Sequence, residues 1–156
     1  ESFKHFNGTK IIAVEAHPQI ARRLKYNCSL NPELNIQIDE VGISDAEGFM
    51  PMALDMKNIG QTRLLKHGEE TASQTVNVPV MSLMGLIAKH QLTNIDGLKI
   101  DVEGHEINTL RGLINNINRN KCLISIEIGN AKFNEVDNFL KKNNFKQIFK
   151  SKYFYI

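Results

Sequence analysis

Three acids and a histidine crowd the end of one apolar run, in "LKIDVEGHE" from Leu98 to Glu106. Asp101 and Glu103 are two positions apart, so they share a face for as long as a strand continues through them. Two carboxylates in one site repel, and one of them then keeps a proton or finds a cation. Such a pair can hold an ammonium group, orient a hydroxyl or ligate a hard metal ion. His105 beside them titrates near neutral pH and can act as a general base. Gly104 lets the chain turn sharply. Glu106 falls in the first turn of the helix that follows, where the macrodipole alone favours an acid, and it is read as a helix-start residue.

Acids close other apolar runs too. Glu15 ends "KIIAVEA". A carboxylate there can accept hydrogen bonds from both hydroxyls of a ribose, and it serves equally as a strand-end acid facing a helix start. Ser44 ends "IQIDEVGIS" and Asp45 follows it, within reach of an adenine amino group or as a plain turn. Glu127 ends "CLISIEI", where it lines an acceptor pocket or is a buried acid with a local partner. His17 sits at the mouth of the nucleoside position, and His5, His67 and His90 read as structural.

These residues need elements to position them. "KIIAVEA", "GLKIDV" and "CLISIEI" are continuous apolar runs of the kind that form buried strands. "IQIDEVGIS" and "QTVNVPVMSL" add two more, and Pro51 restricts "FMPMAL" to a short or edge strand. Helical spacing marks "QIARRLKYNCSLN" after Pro18, "SLMGLIAKHQL", "HEINTLRGLINNI" and "NEVDNFLKKNN". Residues 55–73 are polar and weakly periodic, as functional loops are. "KQIFK" and "YFYI" predict a closing hairpin across Ser151 and Lys152. Strands alternating with helices imply a largely parallel α/β sheet, and ligands of such sheets bind outside the carboxyl ends of the strands.

The bulk numbers narrow the function classes. A chain of 156 residues suits one domain with a sizeable core, here 1–156. A net charge of +2 gives no field of the kind that binds nucleic acid or a membrane surface. The lysines from Lys141 to Lys152 are interleaved with Phe and Ile and read as a solvated face. No apolar run reaches the roughly 18 residues of a membrane helix. Cys28 and Cys122 lack metal-type spacing and read as reduced thiols, with a disulfide between them as the alternative. A cytoplasmic protein is expected; no residue is assigned as a metal ligand, and metal dependence stays open.

Taken in order, "IIAVEAHPQIARRLKYNCSLN", "VGISDAEG", "VPVMSLMGLI" and "IDGLKIDVEGHEINTLRGL" resemble the FkbM-type methyltransferases, from about Lys10 to Glu127. "LKIDVEGHE" followed by "LRG" is the most specific part. "VEAHP" departs mildly from the family's acid-Pro-x-Pro pattern, with Ala16 where proline is common. The resemblance implies a Rossmann-like class I methyltransferase sheet, mostly parallel, with S-adenosyl-L-methionine as cofactor. It implies cofactor contacts at Glu15, Ala16, Ser44, Asp45 and Asp101, and catalytic roles for Asp101, Glu103 and His105. The reaction implied is methylation of a hydroxyl oxygen on a sugar or small metabolite. The family also begins with a strand and a glycine-rich loop, and no G-x-G-like loop precedes Glu15. A domain truncated at its N-terminus is therefore expected, lacking its first strand. Two alternatives follow from that gap: a non-catalytic or truncated domain that holds the cofactor poorly, and a homodimer formed through exposed strand edges. An NAD-binding domain is a further competitor, since Glu15 would serve a dinucleotide equally well, but it needs a G-x-G-x-x-G that is not seen.

Overall fold

The computed structural model describes residues 9–45, 47–55, 62–65, 68–69, 71, 74–111, 122–149 and 154–155. It is a mixed α/β structure of nine strands and four helices among these residues. Strand β1 (Ile11–Val14) pairs in parallel with β2 (Ile36–Asp39). Helix α1 (Pro18–Ser29) connects them, with Pro18 at its first turn, where a missing N–H costs nothing. His17 caps it by accepting the Gln19 N–H on Nδ1 at 3.1 Å.

The run "IQIDEVGIS" does not stay one strand. It leaves β2 at Asp39 and re-forms as β3 (Gly42–Ser44) in a second sheet, ordered β3-β6-β4-β5. There β6 (Gln74–Ser82) lies parallel to β3 and antiparallel to β4 (Gly48–Leu54), and β5 (Arg63–Leu64) covers the far side of β4. Strand β4 is thus internal, against the edge position that Pro51 predicted. The reason lies in the ladder. In an antiparallel strand the N–H and C=O of one residue point to the same side. The Pro51 carbonyl accepts from Leu65 N at 2.8 Å, so the missing N–H faces the two-residue β5 and leaves the β6 ladder intact.

Helix α2 (Leu83–Lys89) leads to the third sheet, where β7 (Gly97–Ile100) runs parallel to β8 (Leu123–Glu127). Helix α3 (Glu106–Arg111) follows β7, and α4 (Phe133–Lys142) follows β8 after a 3-10 turn at Asn130–Lys132. Strand β9 (Phe154–Tyr155) pairs antiparallel with β8. The chain's end is therefore antiparallel, as expected, but its partner is β8: residues 146–149 form no strand, and Ser151 and Lys152 lie outside the described residues. Most of the loop expected at 55–73 also lies outside them. Parallel and antiparallel pairings are equal in number among the described residues, so the single, mostly parallel sheet is not what is seen.

One core joins these parts. Ile100, Leu110, Ile124, Ile126, Val136 and Leu140 are buried between the third sheet and its helices, and Ile12 and Val14 of β1 pack against the same cluster. A smaller cluster of Met52, Leu64, Val78 and Val80 fills the second sheet. Asp39, at the end of β2, is 5% exposed and holds Lys89 and His90 at the end of α2. That staple fixes where the first strand pair sits against α2. Cys28 and Cys122 are free thiols.

Candidate functional site

Strand β7 stops at Ile100, so Asp101 and Glu103 are not neighbours on one strand face. Val102 to His105 form a turn in which Glu103 has φ +44° and Gly104 φ +96°. Left-handed backbone is routine for glycine and strained for glutamate, and such strain persists where packing over-determines it. Two anchors do so here. Gly104 N donates to Glu106 Oε1 at 2.8 Å, and Lys132 Nζ donates to the Gly104 carbonyl. Lys132 is delivered by the 3-10 turn that follows β8 and its Gly129. It sits so close that a Cβ on residue 104 would lie 3.2 Å from its Nζ.

The turn separates two cavities. One, of about 450 Å³, is lined by Arg63, Leu64, Glu69, Glu103, Gly104, His105 and Lys132. The other, of about 410 Å³, is walled by Asp101, Glu103, Gly104, Glu106, Glu127 and Lys132 together with the Ile128–Gly129 segment and Ala131. Glu103, Gly104 and Lys132 belong to both. Burial pushes the Glu103 carboxyl above the usual range, and the charges of Asp101, Glu127 and Glu106 push the same way. Arg63 is held in an ion pair with Glu69, which raises its pKa further.

Three expected catalytic residues, Asp101, Glu103 and His105, thus lie on the walls of adjoining cavities. His105 is 3% exposed, and its Nε2 is 3.1 Å from the hydroxyl of Ser44, which is itself fully buried. The Ser44 hydroxyl donates to Asp45 Oδ1 at 3.3 Å. A hydroxyl has one proton, so with that proton directed at Asp45 the ring nitrogen facing Ser44 is the donor, and His105 carries a proton on Nε2. Burial opposes the charge on Asp45. Hydrogen bonds from Asn108, from its own backbone and from Ser44, with the neighbouring His105, outweigh it and hold the carboxyl below its usual range. Ser, His and Asp are together here, yet not as a hydrolytic triad: Ser44 is sealed from substrate and the carboxylate binds the hydroxyl rather than the ring.

Glu15 and Ala16 stand apart from both cavities, at the carboxyl end of β1. Glu15 N donates to the Asp39 carbonyl at 3.0 Å, and Oε1 accepts from His17 N at 2.7 Å. Its second carboxylate oxygen makes no hydrogen bond among the described residues. Glu106 stands in the first turn of α3, as expected of a helix-start acid, but it is not at the surface. It is 2% exposed, and its Oε2 has no hydrogen-bond partner among the described residues. Lys132 and Arg63 were not anticipated: they come from distant segments, and no spacing in the sequence ties them to "VEGHE". Among the described residues no three His, Cys, Asp or Glu side chains come together as a metal site.

A family model described as the methyltransferase FkbM domain matches residues 1–146. The chain has no match among curated proteins or among solved structures.

Proposed function

The chain belongs to the FkbM methyltransferase family, and from that premise we propose that it uses S-adenosylmethionine to methylate a hydroxyl oxygen of a sugar or small metabolite, on a Rossmann-like class I framework. The observation that carries this reading is the turn after β7, which puts Asp101, Glu103 and His105 on cavity walls at a strand's carboxyl end. The donor set fits the cofactor. Glu15 keeps one carboxylate oxygen uncommitted among the described residues, at the end of β1, suited to a ribose hydroxyl pair, with the small side chain of Ala16 beside it. Ser44 and Asp45 close β3, and Asp101 closes β7, on the cofactor side of the cavities in this reading. When bound, S-adenosylmethionine supplies an electrophilic methyl group on a sulfonium.

The chain's own residues then have distinct tasks. His105 serves as the base toward the acceptor hydroxyl, and the Ser44–Asp45 pair behind it stabilises the charged ring through Nε2. Asp101 and Glu103 orient the acceptor, since displacement at a methyl carbon depends chiefly on alignment of the two oxygen and sulfur partners. Loss of a positioned base typically costs about 10²–10⁴-fold in rate. His105→Gln is therefore expected to lower methyl transfer from radiolabelled S-adenosylmethionine to a panel of sugar hydroxyls by about that factor, while affinity for S-adenosylhomocysteine holds. Undiminished transfer by the variant would remove His105 from the chemistry.

A further inference from the structure

Glu106 is the one residue of the "VEGHE" turn whose placement the proposed chemistry leaves unexplained. A carboxylate 2% exposed with a bare oxygen is costly unless something meets it. Its other oxygen is occupied by Gly104 N, so the side chain is fixed, and it lines the smaller cavity. Asp101, Glu103 and Glu127 line the same cavity. Asp101 reaches only the exposed Lys99, at 3.4 Å, and Glu103, Glu106 and Glu127 have no ion-pair partner among the described residues. Lys132 lines the same cavity, and its ammonium donates to the Gly104 carbonyl rather than to any of these acids. The cavity wall therefore sets four carboxyl groups against the one ammonium of Lys132, together with a buried acceptor.

A single metal ion does not answer that demand, because these carboxylates do not converge as a metal site. An organic cation does: a primary ammonium offers three N–H donors that reach separate acceptors. We propose that the smaller cavity binds the primary ammonium group of a ligand, with Glu106 Oε2 as its buried hydrogen-bond acceptor and Asp101, Glu103 and Glu127 as the surrounding charge. The cavity lies between the ends of β7 and β8, away from Glu15. That position places the ammonium on the acceptor and makes the acceptor an amine-bearing hydroxyl compound, an assignment that rests on the methyltransferase reading. The amino-acid end of the donor carries the same chemistry, and experiment separates the two sources.

The test is calorimetric titration of the protein with glucosamine and with glucose at neutral pH, and with S-adenosylhomocysteine and with 5′-methylthioadenosine, which lacks the amino-acid end. Each is repeated with Glu106→Gln, which keeps the bond to Gly104 N, and with the less buried Glu127→Gln, which keeps the proposal testable if the first variant folds poorly. An acceptor ammonium predicts that glucosamine binds, that glucose binds at least tenfold more weakly, and that Glu106→Gln costs glucosamine tenfold or more and glucose nothing. Glu127→Gln costs glucosamine several-fold. A donor ammonium instead predicts the loss for S-adenosylhomocysteine and none for 5′-methylthioadenosine. The proposal is overturned if glucose matches glucosamine and neither variant changes S-adenosylhomocysteine affinity, or if neither amine-bearing probe binds. Glucosamine binding without S-adenosylhomocysteine binding would refute the methyltransferase reading and leave the ammonium site standing.

Discussion

At the scale of single residues, charge and burial pull against each other in the turn after β7. Glu103 carries the clearest mark of it, since burial and three neighbouring acids raise its pKa in the folded chain. A carboxyl whose folded pKa is raised binds its proton more tightly when folded. Its effect on stability is therefore unfavourable above the folded pKa and fades as pH falls toward its ordinary value of about 4.3. Glu103→Gln is expected to melt higher than the parent at pH 7, with the difference shrinking as the pH is lowered toward 4; thermal unfolding by circular dichroism across that range checks it, and an equal or lower melting temperature at pH 7 would contradict it. The acids and His105 were legible in the sequence because they are contiguous and close an apolar run. The environment of Glu106 was not, because position in a helix's first turn says nothing about what lies over it. Lys132 and Arg63 were illegible for a simpler reason: three-dimensional proximity brings them in, with no motif to announce it.

Elements set where those residues stand, and one staple is decisive for the first sheet. Asp39 ties β2 to the end of α2 through Lys89 and His90. Burial works against its charge, but the hydrogen bonds and charges of those two partners outweigh it and lower its pKa. That stabilisation is present above the unfolded value of about 3.9 and is lost as pH falls through the lowered folded value. Asp39→Asn should cost about 1.5–3 kcal/mol at neutral pH, the range for hydrogen bonds to a charged group. The cost should shrink as the pH falls, as denaturant titrations at pH 7 and pH 3 would reveal. The Gly104 position gives a second element-scale expectation. Gly104→Ala imposes left-handed backbone on a Cβ and crowds Lys132, at about 1–3 kcal/mol, and a stability unchanged by the substitution would speak against the strained turn. Strand and helix positions were readable from apolar periodicity. The split of "IQIDEVGIS" between two sheets was not, since the change of partner at Asp39 is a tertiary choice. Pro51 misled for a related reason: the sequence shows a missing N–H but not the side of the ladder it faces.

For the molecule as a whole, three sheets share one core, and the chemistry-bearing residues collect at the ends of β1, β3, β7 and β8. The α/β class followed from alternating strand and helix patterns, whereas the number of sheets depends on pairings between distant segments. No helix among the described residues is long and apolar enough to cross a membrane. Family membership and the uncommitted oxygen of Glu15 converge on one claim, that the strand ends hold a nucleoside-bearing methyl donor. Calorimetric titration of the full-length protein with S-adenosylhomocysteine tests it most directly, run beside Glu15→Gln. The account predicts saturable one-to-one binding that weakens by about tenfold or more in the variant, as expected when a charge-assisted hydrogen bond is lost. Absence of binding to the parent protein, or binding indifferent to Glu15→Gln, would contradict it and favour a domain that has kept the family's framework without its cofactor.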